Sequence, residues 1–258
     1  MAGTETRGSE RRGTGNVYAI AGGVGGAGAT RLSVEFAGAL ARDGRDTVVV
    51  DASFTTQGLS SVVSGRIEPD VTRVVTDDRP LREATSQLSL EVPGSVSVAP
   101  ARAPFERLAR AKTSECARRL AERVSRAADR YDAVFVDVPP VGANQAVAAV
   151  TAADAVALVV PDSERGTDAV PRLRDRLADV DAGVDAVVAN RADPDSPVVE
   201  AADAAVPTSE RVALTGAPAS VETSEFSLAV GSAVEALTGV ELDLPEPESS
   251  SVTDYLPG

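Results

Sequence analysis

Between Val17 and Leu40 an apolar run, a glycine-dense turn and an amphipathic segment follow one another directly, and this succession limits the fold more than any other stretch. Val17–Ala21 reads as a strand. Gly22-Gly23-Val24-Gly25-Gly26-Ala27-Gly28-Ala29-Thr30 reads as a loop. The segment from Arg31 places Leu32, Phe36, Ala39 and Leu40 at helical spacing. Glycines admit positive φ and let the backbone approach a ligand closely. Successive N–H groups then converge at a helix N-terminus, where the dipole also favours negative charge. A phosphate is the expected guest.

The rest of the chain alternates strand and helix patterns, which predicts an α/β fold: a doubly wound, mostly parallel sheet with helices on both faces. Thr47–Val50 is a buried strand closing on Asp51, after a turn at Asp43-Gly44. Prolines divide the next stretch into short helical pieces, Val71–Thr76 and Leu81–Leu88, before a strand at Val96–Ala99. Arg107–Ala128 reads as one long amphipathic helix with Leu108, Ala111, Cys116, Leu120 and Val124 on one side. Tyr131–Pro140 is an apolar strand that delivers Asp137 near its end and stops at two prolines. There follow a helix at Ala143–Ala153, a strand at Ala155–Val160, a helix at Asp168–Leu177 and a strand at Val184–Ala189 closing on Asn190-Arg191. A short strand at Arg211–Leu214 and a helix at Phe226–Leu237 complete the pattern. Residues 16–240 thus form one domain. Residues 1–15 and the acidic Pro/Ser stretch 241–258 are expected to be disordered, Tyr255-Leu256 being a candidate partner-binding motif.

Two phosphate-binding patterns fit the glycine loop. Gly23-x-Gly25-x-x-Gly28 after a strand, with Asp51 closing the next one, matches the dinucleotide-binding fingerprint of NAD-dependent oxidoreductases. Val24–Thr30 also resembles the deviant Walker A loop of the ParA/MinD ATPases, Lys-Gly-Gly-x-Gly-Lys-Ser/Thr, with Val24 and Ala29 at the two lysine positions. Later segments favour the second resemblance. Tyr131-Asp-Ala-Val-Phe-Val-Asp137-Val-Pro-Pro140 is similar to that family's Walker B strand, and Asp51-Ala-Ser53 stands where its Asp-x-Asp follows the second strand. Ala152-Ala153-Asp154 and Val187–Arg191 also look like family segments, so the resemblance spans most of residues 17–240.

The resemblance implies roles residue by residue. Gly25, Gly26, Gly28 and Ala29 would cradle phosphates, and Thr30, Asp51 and Asp137 would hold Mg²⁺. Asn190 would read the base or cap its turn. Arg31 would supply some positive charge at the cradle, or pair with a carboxylate and play no such part. In the family a lysine at the Ala29 position neutralises the β/γ-phosphates, one at the Val24 position reaches across an ATP-sandwiched dimer, and a carboxylate at the Ser53 position orients the attacking water. This chain carries none of the three. Phosphoryl transfer depends on charge neutralisation and positioning, so no catalytic residue is assigned and ATP with Mg²⁺ is expected to bind weakly or not at all. The implied role is a regulatory or scaffolding factor in cell organisation, in partitioning or positioning, with a protein partner and a possible homodimer. A slow Mg²⁺-dependent ATPase and an NAD-dependent oxidoreductase are the alternatives.

Composition narrows the classes further. Basic residues number 25 against 39 acidic ones, for a net charge of −14, and Lys112 is the only lysine. A halophile's cytoplasmic protein has this balance: a carboxylate-rich surface kept soluble while salt screens its self-repulsion. Nucleic-acid binding is disfavoured except through a local arginine patch. One cysteine and no histidine exclude an internal disulfide, zinc chemistry and a Ser-His triad. No apolar run reaches the roughly 20 residues of a membrane-spanning helix, and residues 1–15 lack the apolar core of a secretory signal. The charge balance makes a testable statement about stability. The Debye length grows from about 3 Å at 1 M salt to about 10 Å at 0.1 M, so the melting temperature followed by circular dichroism is expected to fall between these two salts. An unchanged melt would remove the halophile reading.

Overall fold

The computed structural model describes residues 15–193 and 195–245. The expectations for 1–14 and 246–258, Tyr255-Leu256 included, lie outside the described residues. Eight strands form a single sheet: β1 (Asn16–Gly22), β2 (Asp46–Asp51), β3 (Ser86–Gln87), β4 (Ser95–Ala99), β5 (Ala133–Val138), β6 (Ala155–Pro161), β7 (Ala186–Asn190) and β8 (Ala204–Val206). Their spatial order is β3-β4-β2-β5-β1-β6-β7-β8, and every pairing is parallel except that of β3 with β4. The helices are α1 (Ala29–Arg42), α2 (Val71–Thr76), α3 (Phe105–Ala111), α4 (Ser114–Ala127), α5 (Asn144–Thr151), α6 (Glu164–Ala178) and α7 (Glu225–Thr238).

Alternation along the strands sorts the core into two layers. Tyr18, Ile20, Val49 and Phe135 face α1 and α7, where they meet Leu32, Phe36, Leu40, Val230 and Val234. Val17, Ala19, Val48, Val50, Val134 and Val136 face the other way, onto Val71, Leu120, Val124, Ala146 and Val150. α6 covers the β6–β7 end of that second face through Val170 and Leu173. Cys116 packs into this core as a small buried side chain.

The structure departs from the sequence reading in four places, each with a local cause. Leu81–Leu88 is not helical: one 3₁₀ turn, Leu81–Ala84, gives way at extended Thr85 to β3, whose Ser86 and Gln87 pair with Val98 and Ser97. The long helix expected over Arg107–Ala128 is two. α3 ends at Lys112, and Thr113, with extended backbone, restarts the chain as the N-cap of α4 by accepting the Cys116 N–H. No strand forms at Arg211–Leu214; the eighth strand lies earlier, at Ala204–Val206, and the carbonyls of 211–213 accept hydrogen bonds from Arg31 instead. Residues 241–245, assigned above to a disordered tail, lie along α7. There the Leu242 N–H donates to Glu235, and Leu244 packs so close to Gly231 that a Cβ on that glycine would sit 2.5 Å from its Cδ1.

Phe135 in β5 sits at the centre of the α1-side layer, fully buried, with ring centroids 5.5 Å from Tyr18 and 6.2 Å from Phe36. Truncation there leaves a cavity between the sheet and α1. Phe135→Ala is expected to lower the unfolding free energy by about 3–5 kcal/mol, read from denaturant titration in constant high salt.

Candidate functional site

β1 delivers the glycine loop at the C-terminal edge of the sheet, and each glycine there answers a different constraint. Gly23 is wedged against β6: its N–H donates to the Val159 carbonyl at 2.7 Å, and a Cβ would lie 2.6 Å from Val160 Cγ1. Gly26 and Gly28 have φ of 80° and 99°, in the left-handed region. Gly28 is the N-cap of α1, with no side-chain cap and no acidic residue in the first turn. The helix therefore begins with N–H groups that no side chain of the N-cap or acid of the first turn answers. A Cβ on Gly25 or Gly26 would meet nothing within 4 Å, so this side of the loop is open.

Beneath the loop lie two buried carboxylates. Asp137 ends its strand pairing opposite Asp51 on β2, and both side chains are essentially inaccessible. Thr30, in the first turn of α1, donates its hydroxyl to Asp137 Oδ2 at 2.7 Å. Asp51 accepts backbone N–H bonds from Ser53 at 2.8 Å and Ala101 at 3.1 Å. Desolvation pushes the Asp137 carboxyl up to about 7, against the lowering effect of the Thr30 hydrogen bond. Burial, then the charge of Asp137, holds Asp51 well above the ordinary carboxylate range. A hydroxyl and two desolvated carboxylates are hard oxygen donors that a divalent cation would stabilise in their ionised form, so the set fits Mg²⁺. The remaining coordination would fall to ligand oxygens and water, since no cluster of three or more His, Cys, Asp or Glu side chains placed to hold a metal occurs among the described residues.

The other candidates are placed elsewhere. Asn190, at the end of β7, donates through Nδ2 to the Ala27 carbonyl at 2.8 Å and accepts from the Arg191 N–H at 3.0 Å. It also fills the space a Cβ on Gly28 would need, at 2.1 Å. It thus clamps the loop to β7. Arg31 is tied down away from the cradle: Nε meets Glu35 at 2.5 Å, Nη1 donates to the Arg211 carbonyl at 2.6 Å, and Nη2 donates to Ser209 at 3.2 Å. Glu35 is fully buried and also accepts the N–H groups of Ala219 and Ser220. Sequence reasoning passed over Glu35, although its i,i+4 spacing from Arg31 was a visible signal. Ser53 bonds with Thr56, Lys112 reaches Thr55, and Val24 packs among apolar neighbours. Beside the loop, Gly28, Asn190, Pro207, Val212 and Phe226 border a cavity of only about 100 Å³.

With this geometry in view, the comparisons with known proteins are decisive for the family. A family model described as an AAA domain matches residues 15–186, about two thirds of the chain. The chain belongs to the ParA/MinD-like P-loop ATPases. No curated protein matches it by sequence. Among solved structures it is similar in fold to the Pyrococcus furiosus cell division ATPase MinD, with TM-score 0.73 and 20% identity over 86% of this chain and 98% of that one. The septum site-determining protein MinD of Pyrococcus horikoshii, complexed with Mg-ADP, gives 0.72 and 21% over 85% and 94%. A chain of the MinC:MinD cell division protein complex of Aquifex aeolicus gives 0.70 and 22% over 90% and 98%.

For this ParA/MinD-like chain the strand order itself sets aside the dinucleotide reading. In the dinucleotide fold the strand ending in the ribose-binding acid neighbours the strand before the glycine loop. Here β5 lies between β1 and β2, so Asp51 neighbours Asp137 instead. The paired acids also set a pH dependence. A carboxyl with its folded pKa raised keeps its proton in the fold after the unfolded chain has lost it, so its contribution to stability is greatest at acid pH and declines as pH rises toward 7. Asp137→Asn, compared with wild type without divalent cations, is therefore expected to raise stability at pH 8 by a few kcal/mol and to change it little near pH 4. Equal differences at both pH values would show that desolvation of the charge is not the cause.

Proposed function

We propose that this ParA/MinD-like protein keeps the shape of a phosphate cradle but not its charge. On this reading it works as a regulatory or scaffolding factor in cell organisation, partitioning or positioning, and binds Mg²⁺-nucleotide weakly. The observation that carries the reading is the company kept by the loop: two buried carboxylates lie below it, its one following arginine is paired with Glu35, and Lys112 is bonded to Thr55. Ala29 and Val24 stand at the family's lysine positions, and Arg31 is engaged by Glu35 and the 209–213 segment. What survives supports residual binding: the open face at Gly25 and Gly26, the helix N-terminus, and Thr30 with Asp51 and Asp137 as the residues that would hold Mg²⁺. Held by those residues, the ion would supply positive charge that offsets that of the phosphates. Of the chain's own groups, the loop N–H groups would orient the phosphates, and Asn190 would keep the loop against β7.

The cellular role rests on family membership. The related MinD of the Aquifex aeolicus complex is bound to MinC, which supports a protein partner here, and ParA/MinD-type dimerisation supports a homodimer. No helix among the described residues is long and apolar enough to cross a membrane.

Restoring the cation tests the central claim. Ala29→Lys is expected to tighten Mg-ATP binding roughly ten- to a hundredfold by calorimetry, the effect of one charge-assisted contact to phosphate. Hydrolysis should stay slow in both proteins, because Ser53 gives the water no carboxylate. No gain in affinity in a folded variant would mean that the cradle is closed and the protein acts without nucleotide.

A further inference from the structure

The opposite edge of the sheet carries a feature the cradle does not explain. A cavity of about 440 Å³ opens between the C-terminal end of α4 and the segment Asp78–Thr85, at the start of β5. Its wall includes Arg82, Arg123, Arg126 and Arg130 together with Tyr131. β5 spans about 13 Å from Ala133 to Asp137 at ~3.3 Å per residue, and none of the cavity's lining residues belongs to the cradle, so the two sites do not overlap.

The arginines divide into two kinds. Arg123 is buried and structural: it donates to the Arg79 carbonyl at 2.8 Å and to Asp78 at 2.5 Å, fixing one wall of the cavity to α4. Two nearby arginines outside the cavity are paired, Arg79 with Glu83 and Arg119 with Glu115. Arg82, Arg126 and Arg130 are not. Among the described residues none of their guanidinium groups meets a carboxylate or any other acceptor, and the Tyr131 hydroxyl has no partner either. Carboxylates outnumber basic groups 39 to 25 in this chain, so pairing was readily available. A cation in the last turn of α4 complements the helix dipole, which accounts for Arg126. It does not account for Arg82, which comes from a different segment, or for Arg130, which lies beyond the helix.

We infer that this cavity binds a small phosphorylated organic anion. Its unpaired groups are three guanidinium donors from two segments and the Tyr131 hydroxyl, set against the one unpaired carboxylate of Asp129, so donors prevail, the chemistry that recognises phosphate oxygens. Pro80, Leu81 and Ala127 line it with apolar surface, and Tyr131 adds an aromatic ring beside the donors. Its volume lies within the range of small-molecule pockets and is closer to a mononucleotide than to a peptide groove. The partly enclosed site is also the local arginine patch that composition left open, but it is a pocket and not a nucleic-acid track.

The test titrates the full chain by calorimetry with AMP and with inorganic pyrophosphate, in salt that keeps the protein folded. Wild type is compared with Arg126→Gln/Arg130→Gln and with Arg172→Gln, an exposed arginine on α6 that serves as the charge control. All three side chains are exposed, and circular dichroism checks that the folds match. At least one probe is expected to bind wild type and the control equally, and to bind the double variant at least about tenfold more weakly. Equal affinity in wild type and double variant would place the anion elsewhere, at the cradle for instance, and overturn the inference. So would the absence of binding by both probes to wild type.

Discussion

The parallel pairing of β5 between β2 and β1 is the constraint on which the rest of the molecule depends. Once β5 occupies that place, Asp137 must lie beside Asp51, and both must lie beneath the loop that leaves β1. The strands around them are buried on both faces, so the two carboxylates are removed from water together with the core. Thr30 answers part of that cost with one hydrogen bond, and the Ser53 and Ala101 N–H groups answer part on Asp51. The site is therefore made by the fold's topology, not by any single loop.

Charge is distributed around this site in an unexpected way. The loop offers backbone dipoles and two desolvated acids, while the nearest arginine in sequence, Arg31, is committed to a buried hub with Glu35. That hub holds the 209–213 and 219–220 backbone onto α1, closing the space beside Gly28 and Asn190. Close packing at Gly38, where a Cβ would sit 2.6 Å from Pro218, brings the same segment against the helix. Arg31 serves architecture. At the far edge the balance is reversed, with unpaired arginines gathered around a cavity in an otherwise acidic chain.

Much of this was legible beforehand because periodicity and terminal residues are local signals. The loop glycines, the strands closing on Asp51 and Asp137, and the helix Val71–Thr76 were read from the chain alone. The misreadings came where a non-local contact settled the outcome. Ser86–Gln87 became a strand because β4 offered an antiparallel edge, and 211–213 did not because Arg31 took its carbonyls. Thr113 split a continuous amphipathic pattern by capping, a choice its propensity allows but does not compel.

The sequence by itself determined the α/β class, the glycine loop between the first strand and the first helix, and the absence of lysine at positions 24 and 29 and of a carboxylate at 53, since these depend on residue identity and spacing. Only the tertiary structure decided that Asn190 clamps the loop, that Arg31 faces Glu35, and that Asp51 and Asp137 share one desolvated environment. Each of these joins residues far apart in the chain or turns on burial, and neither strand order nor burial is fixed by any local pattern.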